Sequence, residues 1–209
     1  MRLRGFVART GRASAHWLLE GLLIVISVVL GLWVSQYQQA RADRELAARV
    51  LTSLQREIEH NLATIEPFEA VHRTWASRLG SADTTASTRA GVDLFSTLRP
   101  SLPSGARSPF PFLRRSAWGA ALSGGTIRLI DHDVAAVLSD IYRMQEITDG
   151  AVDRLANGVL TSPAIFDPAS RASAVRLLEL TLIDIQSSEA SLIVLYRQHL
   201  PAIRAAAGR

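Results

Sequence analysis

Residues with reactive or metal-binding side chains are few in this chain, and their spacing forms no known site. Of its five histidines, no two lie at an HxxH, HxxxH or HExxH spacing, and it has no cysteine, so no metal site is expected. Asp131-His132-Asp133 groups acid and base side chains, but neighbours in sequence at a helix start mostly serve as caps. The sequence has no GxSxG, GxGxxG or phosphate-binding loop, so we predict no catalytic residue, no bound cofactor and no enzymatic activity.

The basic residues are all arginine, 23 in number, and they are unevenly distributed. The absence of lysine excludes a P-loop lysine and a Schiff-base nucleophile. Although the sequence pI is about 10.5, residues 1–16 hold four arginines and no acid, and they account for the whole formal net charge of +4. The remainder is close to charge balance and has no basic stripe, so we expect no nucleic-acid partner.

Glu20 is the most informative ionisable residue, because it lies inside a long apolar run. From residue 18 to residue 34 no other strongly polar side chain occurs, and Trp17 and Tyr37 stand near the two ends. A run of this length and hydrophobicity is typical of one membrane-spanning helix with aromatic residues at the interfaces. The sequence therefore predicts a transmembrane helix over residues 17–37, with the lipid bilayer as its surroundings.

Two interpretations of Glu20 stay open. An ionisable group in a span is costly unless it reaches the interface, pairs with another group or meets another helix. Glu20 can extend to the headgroups and pair with Arg12 or His16. Alternatively, it belongs to a helix–helix interaction face, where the small-xxx-small spacing of Ser27 and Gly31 allows close approach. That predicted face consists of Glu20, Ser27, Gly31 and Ser35.

The flanks of the span predict its orientation. A basic tail ahead of the first apolar segment favours a cytoplasmic N-terminus. Residues 1–16 are therefore interpreted as a cytoplasmic tail, and residues 38–209 as the extracytoplasmic, periplasmic domain of a bacterial inner-membrane (plasma-membrane) protein. Ala40-Arg41-Ala42 has the form of a signal-peptide cleavage site. Because the helical pattern runs straight through it, an uncleaved anchor is favoured.

The region after the span keeps a helical spacing. From Gln38 to Ile65 there is neither glycine nor proline, and apolar residues recur at intervals of three and four. The span is therefore predicted to continue as one long helix that Pro67 ends or kinks, since proline removes a donor and clashes with the preceding turn. A second amphipathic stretch then stops near Gly80, and residues 80–125 are predicted to form a loop-rich insertion.

Four prolines lie between residues 99 and 112 of this insertion, a density that excludes a regular element. Ahead of them, residues 92–98 are predicted to form a short helix. Aromatic side chains in such a loop usually join the core of their own domain, which is one interpretation of Phe110 and Phe112. The other is an exposed docking loop formed by Phe110, Phe112 and Arg114.

A short helix is predicted from Arg115 to Leu122, ended by Gly124-Gly125. Arg114 and Arg115, followed by Trp118, could bind an anion or a headgroup. We favour a simpler arrangement, in which Arg115 lies on the solvated side of the helix and Trp118 is buried.

Two long helices are predicted beyond the insertion. One follows Asp131, a suitable N-cap, and the other follows Asp167-Pro168, with proline at the first helical position. Their apolar seams alternate steps of three and four, as in antiparallel bundles and coiled coils. The first seam comprises Val134, Leu138, Ile141, Gln145, Thr148, Val152, Leu155 and Val159. The second comprises Val175, Leu178, Leu182, Ile185, Glu189, Leu192, Tyr196, His199 and Ile203.

The predicted fold class is therefore all-α, with one N-terminal transmembrane helix that continues into a helical bundle of long antiparallel helices. The chain also resembles an uncharacterised family of small bacterial single-pass inner-membrane proteins with a domain of unknown function. The matching residues are Leu19-Glu20-Gly21, Gly31, Trp33-Val34-Ser35, Leu46, Leu54, Glu57, Asn61, Ser116-Ala117-Trp118, Leu122-Ser123-Gly124, Leu138 and Ile141-Tyr142. The resemblance implies a single-pass membrane protein with a helical domain, and it implies no activity and no binding residue.

These features predict a membrane-anchored, non-enzymatic helical protein that serves as a structural or protein-interaction module. We expect it to self-associate or to bind another membrane protein. The alternative is a sensory or ligand-binding periplasmic domain, since a helical bundle on a membrane helix is also the build of many receptors. A receptor needs a pocket with convergent polar groups, whereas an interaction module needs an exposed apolar patch.

Overall fold

A computed structural model of the chain describes residues 7–81, 102–103, 105–106, 108–163, 167 and 169–208, with backbone alone at 7–16, 18, 19, 81 and 171. The described residues form α-helices and no β-strand. The α-helices are α1 (Val7–Ser81), α2 (Ser116–Ser123), α3 (His132–Arg154) and α4 (Arg171–Ala207). A 3₁₀-helix spans Thr126–Leu129, and a π-helical turn spans Leu155–Val159. The helical fold class is thus confirmed, while the predicted helix at 92–98 lies outside the described residues.

Helix α1 contains 75 residues and passes through Pro67 without ending. The prediction that Pro67 could end the helix is therefore wrong. Proline removes only the hydrogen bond that its own N–H would donate to the preceding turn. Pro67 and Ala63, whose carbonyl loses that donor, are both exposed, so water can satisfy the free carbonyl. The buried neighbours Ile65 and Phe68 hold the helix on either side of this defect.

The chain divides into two compact units, Met1–Leu46 and Ala47–Arg209. In the first unit, the part of α1 with described side chains has no buried residue. Its large apolar side chains are exposed on all sides of the helix, since successive residues around the full turn are accessible. They are Leu22, Leu23, Ile24, Val25, Ile26, Val28, Val29, Leu30, Leu32, Trp33 and Val34. By length and composition, this helix is suited to cross a membrane.

The second unit has an apolar core built from α1, α3 and α4. One cluster gathers Leu54 and Ile58 of α1, Leu138 of α3, and Leu192 and Tyr196 of α4. A second cluster gathers Trp75 and Leu79 of α1 with residues of the π-helical turn and α4. The predicted seams of α3 and α4 face this core. One face of α1 also does so, and its buried apolar residues are Leu51, Leu54, Ile58, Ile65, Phe68, Trp75 and Leu79.

Side chains link α1 to α4 at several levels. Arg204 donates to Glu59 at 2.8 Å, and Arg197 donates to Glu66 at 2.8 Å. Gln186 donates to Glu69 at 2.7 Å. Residue numbers therefore rise along α1 while they fall along α4.

The predicted helix ends are confirmed at two sites. Helix α2 ends at Gly124, and Gly125 adopts a left-handed conformation with φ of +64°, which costs glycine less than any other residue. The Asp131 carboxylate accepts from the amides of Asp133 and Val134 and so caps α3.

The start of α4 differs from the prediction. Pro168 lies outside the described residues, and the helix begins at Arg171 with Ser170 as its N-cap residue. Asp167 instead closes a turn, because its carboxylate accepts from the Ala169 amide at 3.2 Å and from the Ser170 hydroxyl at 2.6 Å. Such side-chain-to-backbone bonds compete with helix formation and place Asp just ahead of a helix start.

Candidate functional site

The core of the second unit contains a set of buried polar side chains. Because an unpaired buried polar group is costly, each needs a partner. The set is Glu57, Asn61, Glu69, His72, Gln145, Thr148 and Glu189. Most of them bind one another or one connecting segment, residues 108–115, which we call the strap.

Glu57 of α1 holds the N-terminus of α2. One carboxylate oxygen accepts from the Ser116 hydroxyl at 2.9 Å and from the Ala117 amide at 2.8 Å. The other accepts from the Tyr142 hydroxyl at 2.7 Å and from the Trp118 amide at 3.4 Å. Helix α2 has no side-chain cap of its own, so a carboxylate from a distant helix satisfies its free amides and its dipole.

Tyr142 completes this arrangement from α3. Its ring stacks on Trp118 with the centroids 4.8 Å apart and the planes 7° from parallel. Burial raises the pKa of the Tyr142 hydroxyl, and the hydrogen bond to Glu57 raises it further. The hydroxyl therefore stays protonated and acts as a donor to Glu57.

Asn61 lies one turn further along α1, and its side chain binds the backbone of the strap. Its side-chain amide donates to the Arg114 carbonyl at 2.7 Å and accepts from the Arg114 amide at 2.8 Å. Gln145 of α3 donates to the same carbonyl at 3.0 Å, and its oxygen accepts from the Tyr196 hydroxyl of α4 at 3.1 Å. The Asn61 side chain thus satisfies both the amide and the carbonyl of Arg114, which would otherwise need backbone or water partners.

His72 lies at the other end of the strap and is fully enclosed. Its Nδ1 lies 2.8 Å from Oε2 of Glu189, and its Nε2 lies 2.9 Å from the Pro109 carbonyl oxygen. Both side chains of the His72–Glu189 pair are 0% exposed. Burial raises the pKa of Glu189, Glu69 adds to this increase, and the hydrogen bond and charge of His72 oppose it.

Aromatic rings surround this imidazole. The ring centroids of Trp75 and Phe110 each lie 5.4 Å from that of His72, and the centroid of Phe68 lies 6.1 Å away. Among the buried side chains that the structure describes, Trp75 Nε1 and Glu189 Oε1 have no hydrogen-bond partner. Since Oε1 has no partner and Oε2 contacts His72, a negative charge on the Glu189 carboxylate is compensated through its contact with His72.

The predicted interaction face of the span lies on an accessible surface. Glu20, Ser27, Gly31 and Ser35 are all exposed. Ser27 donates to the Leu23 carbonyl of its own helix at 2.8 Å, and no atom lies within 4 Å of a side chain placed at Gly31. The side chains of Arg12 and His16, proposed partners of Glu20, lie outside the described residues.

The three residues of the predicted docking loop lie in the strap, and they differ in exposure. Phe110 is half-buried and packs against the cluster around Trp75 and Leu79. Phe112, two residues further on, is 81% exposed. The Arg114 side chain is exposed, although its backbone is bound by Asn61. Only Phe112 and Arg114 are therefore available as surface groups.

The simpler arrangement predicted for Arg115 and Trp118 agrees with the structure. Arg115 is exposed and forms ion pairs with Asp149 and Glu146 of α3. Trp118 is partly buried and packs against the core.

The outward side of α4 carries exposed apolar residues opposite its core seam. Leu177, Leu180, Ile183 and Val194 are each more than two-fifths exposed. An open groove lies beside Val194, between Met144 of α3 and one stretch of α4. Its lining consists of Met144, Gln186, Ser187, Ala190, Ser191, Val194 and Leu195.

The buried polar side chains hold parts of the domain together. They form hydrogen bonds with the N-terminus of α2, with the backbone of the strap and with one another. Within the described part of the chain, no three His, Asp or Glu side chains converge as a metal site. His72 and Glu189 resemble an acid–base pair, but both are enclosed, so a substrate has no path to them.

Sequence reasoning missed these clusters, although a signal for them exists. Each predicted seam contains polar interruptions, namely Gln145 on α3 and Glu189 on α4. On α1, His72 lies between Phe68 and Trp75 at seam spacing. A polar residue on a buried seam requires a partner, so the interruptions on neighbouring helices could have been paired with each other.

No family model, curated protein or solved structure matches the chain. The resemblance to an uncharacterised membrane-protein family therefore stays a prediction. Several residues that carry that resemblance, from distant segments, contact one another in the structure. Glu57 binds Ser116, Ala117, Trp118 and Tyr142.

Proposed function

We propose that the chain is a single-pass membrane protein whose helical domain is a non-enzymatic interaction module that associates with a second copy of itself. The contrast along α1 carries this proposal. From Leu22 to Val34 the apolar side chains are exposed all around the helix, whereas from Leu51 onward the same helix buries one face. A uniformly apolar, uncovered helix is stable in hydrocarbon and unfavourable in water.

Membrane insertion is tested with paired charge substitutions. Ile24→Arg together with Val28→Arg should release the full chain from membranes into the soluble or aggregated fraction, since each central charge costs about 2.5–3.5 kcal/mol of insertion free energy. Ala63→Arg together with Ala70→Arg, on exposed positions of the second unit, is the matched control. If both variants resist carbonate extraction equally, membrane attachment does not depend on this helix, and the proposed span is wrong.

The domain is further proposed to be a bundle of antiparallel helices on the periplasmic side of a bacterial inner membrane. The ion pairs Glu59–Arg204 and Glu66–Arg197, with numbers rising on α1 and falling on α4, support antiparallel packing. The basic residues of the 1–16 segment support a cytoplasmic N-terminus. A C-terminal reporter that is active only in the cytoplasm would contradict this orientation.

Self-association is proposed to use the span face of Glu20, Ser27, Gly31 and Ser35. The space around Gly31 would let a second helix approach closely. Gly31→Leu should shift the detergent-solubilised protein from dimer to monomer. Gly21→Leu is the control, because Gly21 is equally uncrowded but lies off this face by helical spacing. An unchanged mass for Gly31→Leu would refute the face.

The exposed apolar side of α4 favours an interaction role over a ligand-binding role. Leu177, Leu180 and Val194 present apolar surface to solvent, as partner-binding surfaces do. The buried polar groups that a ligand would need are mostly bound to other protein groups. Crosslinking through a cysteine at Val194, in a chain that has no cysteine of its own, should trap a homodimer in membranes. Exclusive crosslinks to other proteins would instead indicate a different partner.

A further inference from the structure

The partners of the His72 imidazole determine how many protons the closed His72–Glu189 pair must hold. The Pro109 carbonyl can only accept, so Nε2 of His72 carries a hydrogen. The contact of 2.8 Å between Nδ1 and Glu189 Oε2 then needs one further proton, on either atom. If that proton leaves, a lone pair of Nδ1 faces a carboxylate, and the hydrogen bond becomes repulsion.

The surroundings make this proton costly to lose. Phe68, Trp75 and Phe110 face the imidazole with uncharged rings. Glu69, on the same helix as His72, is the other charged group that acts on Glu189, and its negative charge disfavours ionisation. Burial is the largest cause that raises the pKa of Glu189, because the ionised carboxylate loses its contact with water.

Two further groups lie next to Glu69. Gln186 of α4 donates to its Oε1, and Arg73 of α1 donates to its Oε2. Neither group is bonded to Glu189, whose second oxygen has no partner. The strap contributes the Pro109 carbonyl and the ring of Phe110 to the surroundings of His72.

The strap is held at two ends by different chemistry. At its C-terminal end, Asn61 and Glu57 bind Arg114 and the first turn of α2. At its N-terminal end, His72 binds Pro109. Only the N-terminal end depends on an imidazole, so the two ends should respond differently to pH.

We propose that the His72–Glu189 pair is a proton-dependent latch. While the pair shares one proton, it keeps the Pro109–Phe110 end of the strap on α1. Loss of that proton at alkaline pH leaves a neutral imidazole with one N–H, which can donate to Glu189 or to Pro109 but not to both. The Pro109 contact is then weakened, this end of the strap opens, and the apolar cluster around Trp75 is uncovered. The Asn61 and Glu57 contacts keep the other end in place.

The sign of the pH dependence follows from linkage. In an unfolded chain an imidazole titrates near about 6.5 and a Glu near about 4.3, so above about pH 6.5 a released pair holds no shared proton. The latched pair holds one. The opening equilibrium constant should therefore rise about tenfold per pH unit on the alkaline side. The raised pKa of Glu189 has the same sign. A proton bound to a group with a raised folded-state pKa stabilises the fold at low pH, and this stabilisation is lost as the pH rises through that pKa.

Amide hydrogen exchange of the full chain in detergent micelles tests the latch. Between pH 6 and pH 9, after correction for intrinsic exchange, the amide of Phe110, which donates to the Ser108 hydroxyl, should lose protection progressively. The amides of Ala117 and Trp118, which Glu57 binds, serve as internal controls and should change little. Loss of protection at both ends in parallel would overturn the proposal.

Glu189→Gln supplies the matched variant. Its side-chain amide can donate to Nδ1 without a titrating proton, so the strap should stay closed at every pH tested. An alkaline loss of protection equal to that of the wild type would reject the latch. If this variant does not fold, the nitrogen shifts of ¹⁵N-labelled His72 in the wild type decide. They should change over the same pH range in which the amide of Phe110 becomes exposed, and a His72 that titrates without opening contradicts the proposal.

Discussion

The Tyr142 hydroxyl donates a 2.7 Å hydrogen bond to the Glu57 carboxylate across 85 residues of sequence. This bond joins α3 to α1 at the point where α1 also holds α2. A hydrogen bond to a charged group contributes more than one between neutral groups, because the desolvated charge would otherwise lack compensation. The contact therefore connects three helices through one carboxylate.

Tyr142→Phe should lower the free energy of unfolding by about 1.5–3 kcal/mol, since it removes a bond to a charged acceptor and keeps the ring that stacks on Trp118. Tyr196→Phe is the matched control, because its hydroxyl donates to the neutral Gln145 amide. It should cost about 0.5–1.5 kcal/mol. Urea unfolding monitored by circular dichroism measures both, and equal losses would show that the charge of Glu57 is irrelevant.

Much of the helical architecture could be predicted from apolar periodicity. The α3 and α4 seams predicted from spacing are the buried faces, and Asp131 and Gly125 mark helix ends as expected. Periodicity assigns a face to each helix but does not identify what that face meets. The pairing of His72 with Glu189, 117 residues away, depends on the register of two helices, which spacing alone does not determine.

Two other features were also beyond sequence reasoning. Helix α1 continues through Pro67 because tertiary packing on both sides outweighs one lost hydrogen bond. The π-helical turn after α3, in which the Leu160 amide donates to the Leu155 carbonyl at 3.0 Å, inserts one extra residue into a helix turn. No residue type in Leu155–Val159 specifies such an insertion.

Gly125→Ala should destabilise the domain by about 1 kcal/mol, because an L-residue with φ of +64° carries a steric cost that glycine lacks. Gly119→Ala, inside α2, is the matched control. No neighbouring atom lies within 4 Å of a Cβ placed there, so alanine should stabilise the helix by about 0.5–1 kcal/mol. Thermal unfolding distinguishes the two, and a gain for both variants would show that Gly125 does not need its left-handed conformation.

Asp131→Ala should cost about 1 kcal/mol of unfolding free energy, because the amides of Asp133 and Val134 lose their side-chain acceptor. Asp131→Asn, which keeps an acceptor oxygen, should restore most of the loss. Asp133→Ala removes an acid from the same helix turn without removing the cap and should cost only about 0.3–1 kcal/mol. Chemical denaturation compares the three variants, and an Asn variant as unstable as the Ala variant would argue against capping.

Phe110 and Phe112 are separated by one residue, but their environments predict opposite outcomes. Phe110→Ser should lower the unfolding free energy by about 2 kcal/mol or more, because its ring packs beside His72 and the Trp75 cluster. Phe112→Ser should leave stability within about 0.5 kcal/mol of the wild type, since its ring is 81% exposed. The same pair separates core packing from docking. If Phe112 contacts a partner, Phe112→Ser should reduce co-purification of that partner at unchanged stability, and an equal loss of stability in both variants would mean that Phe112 is also covered within the folded chain.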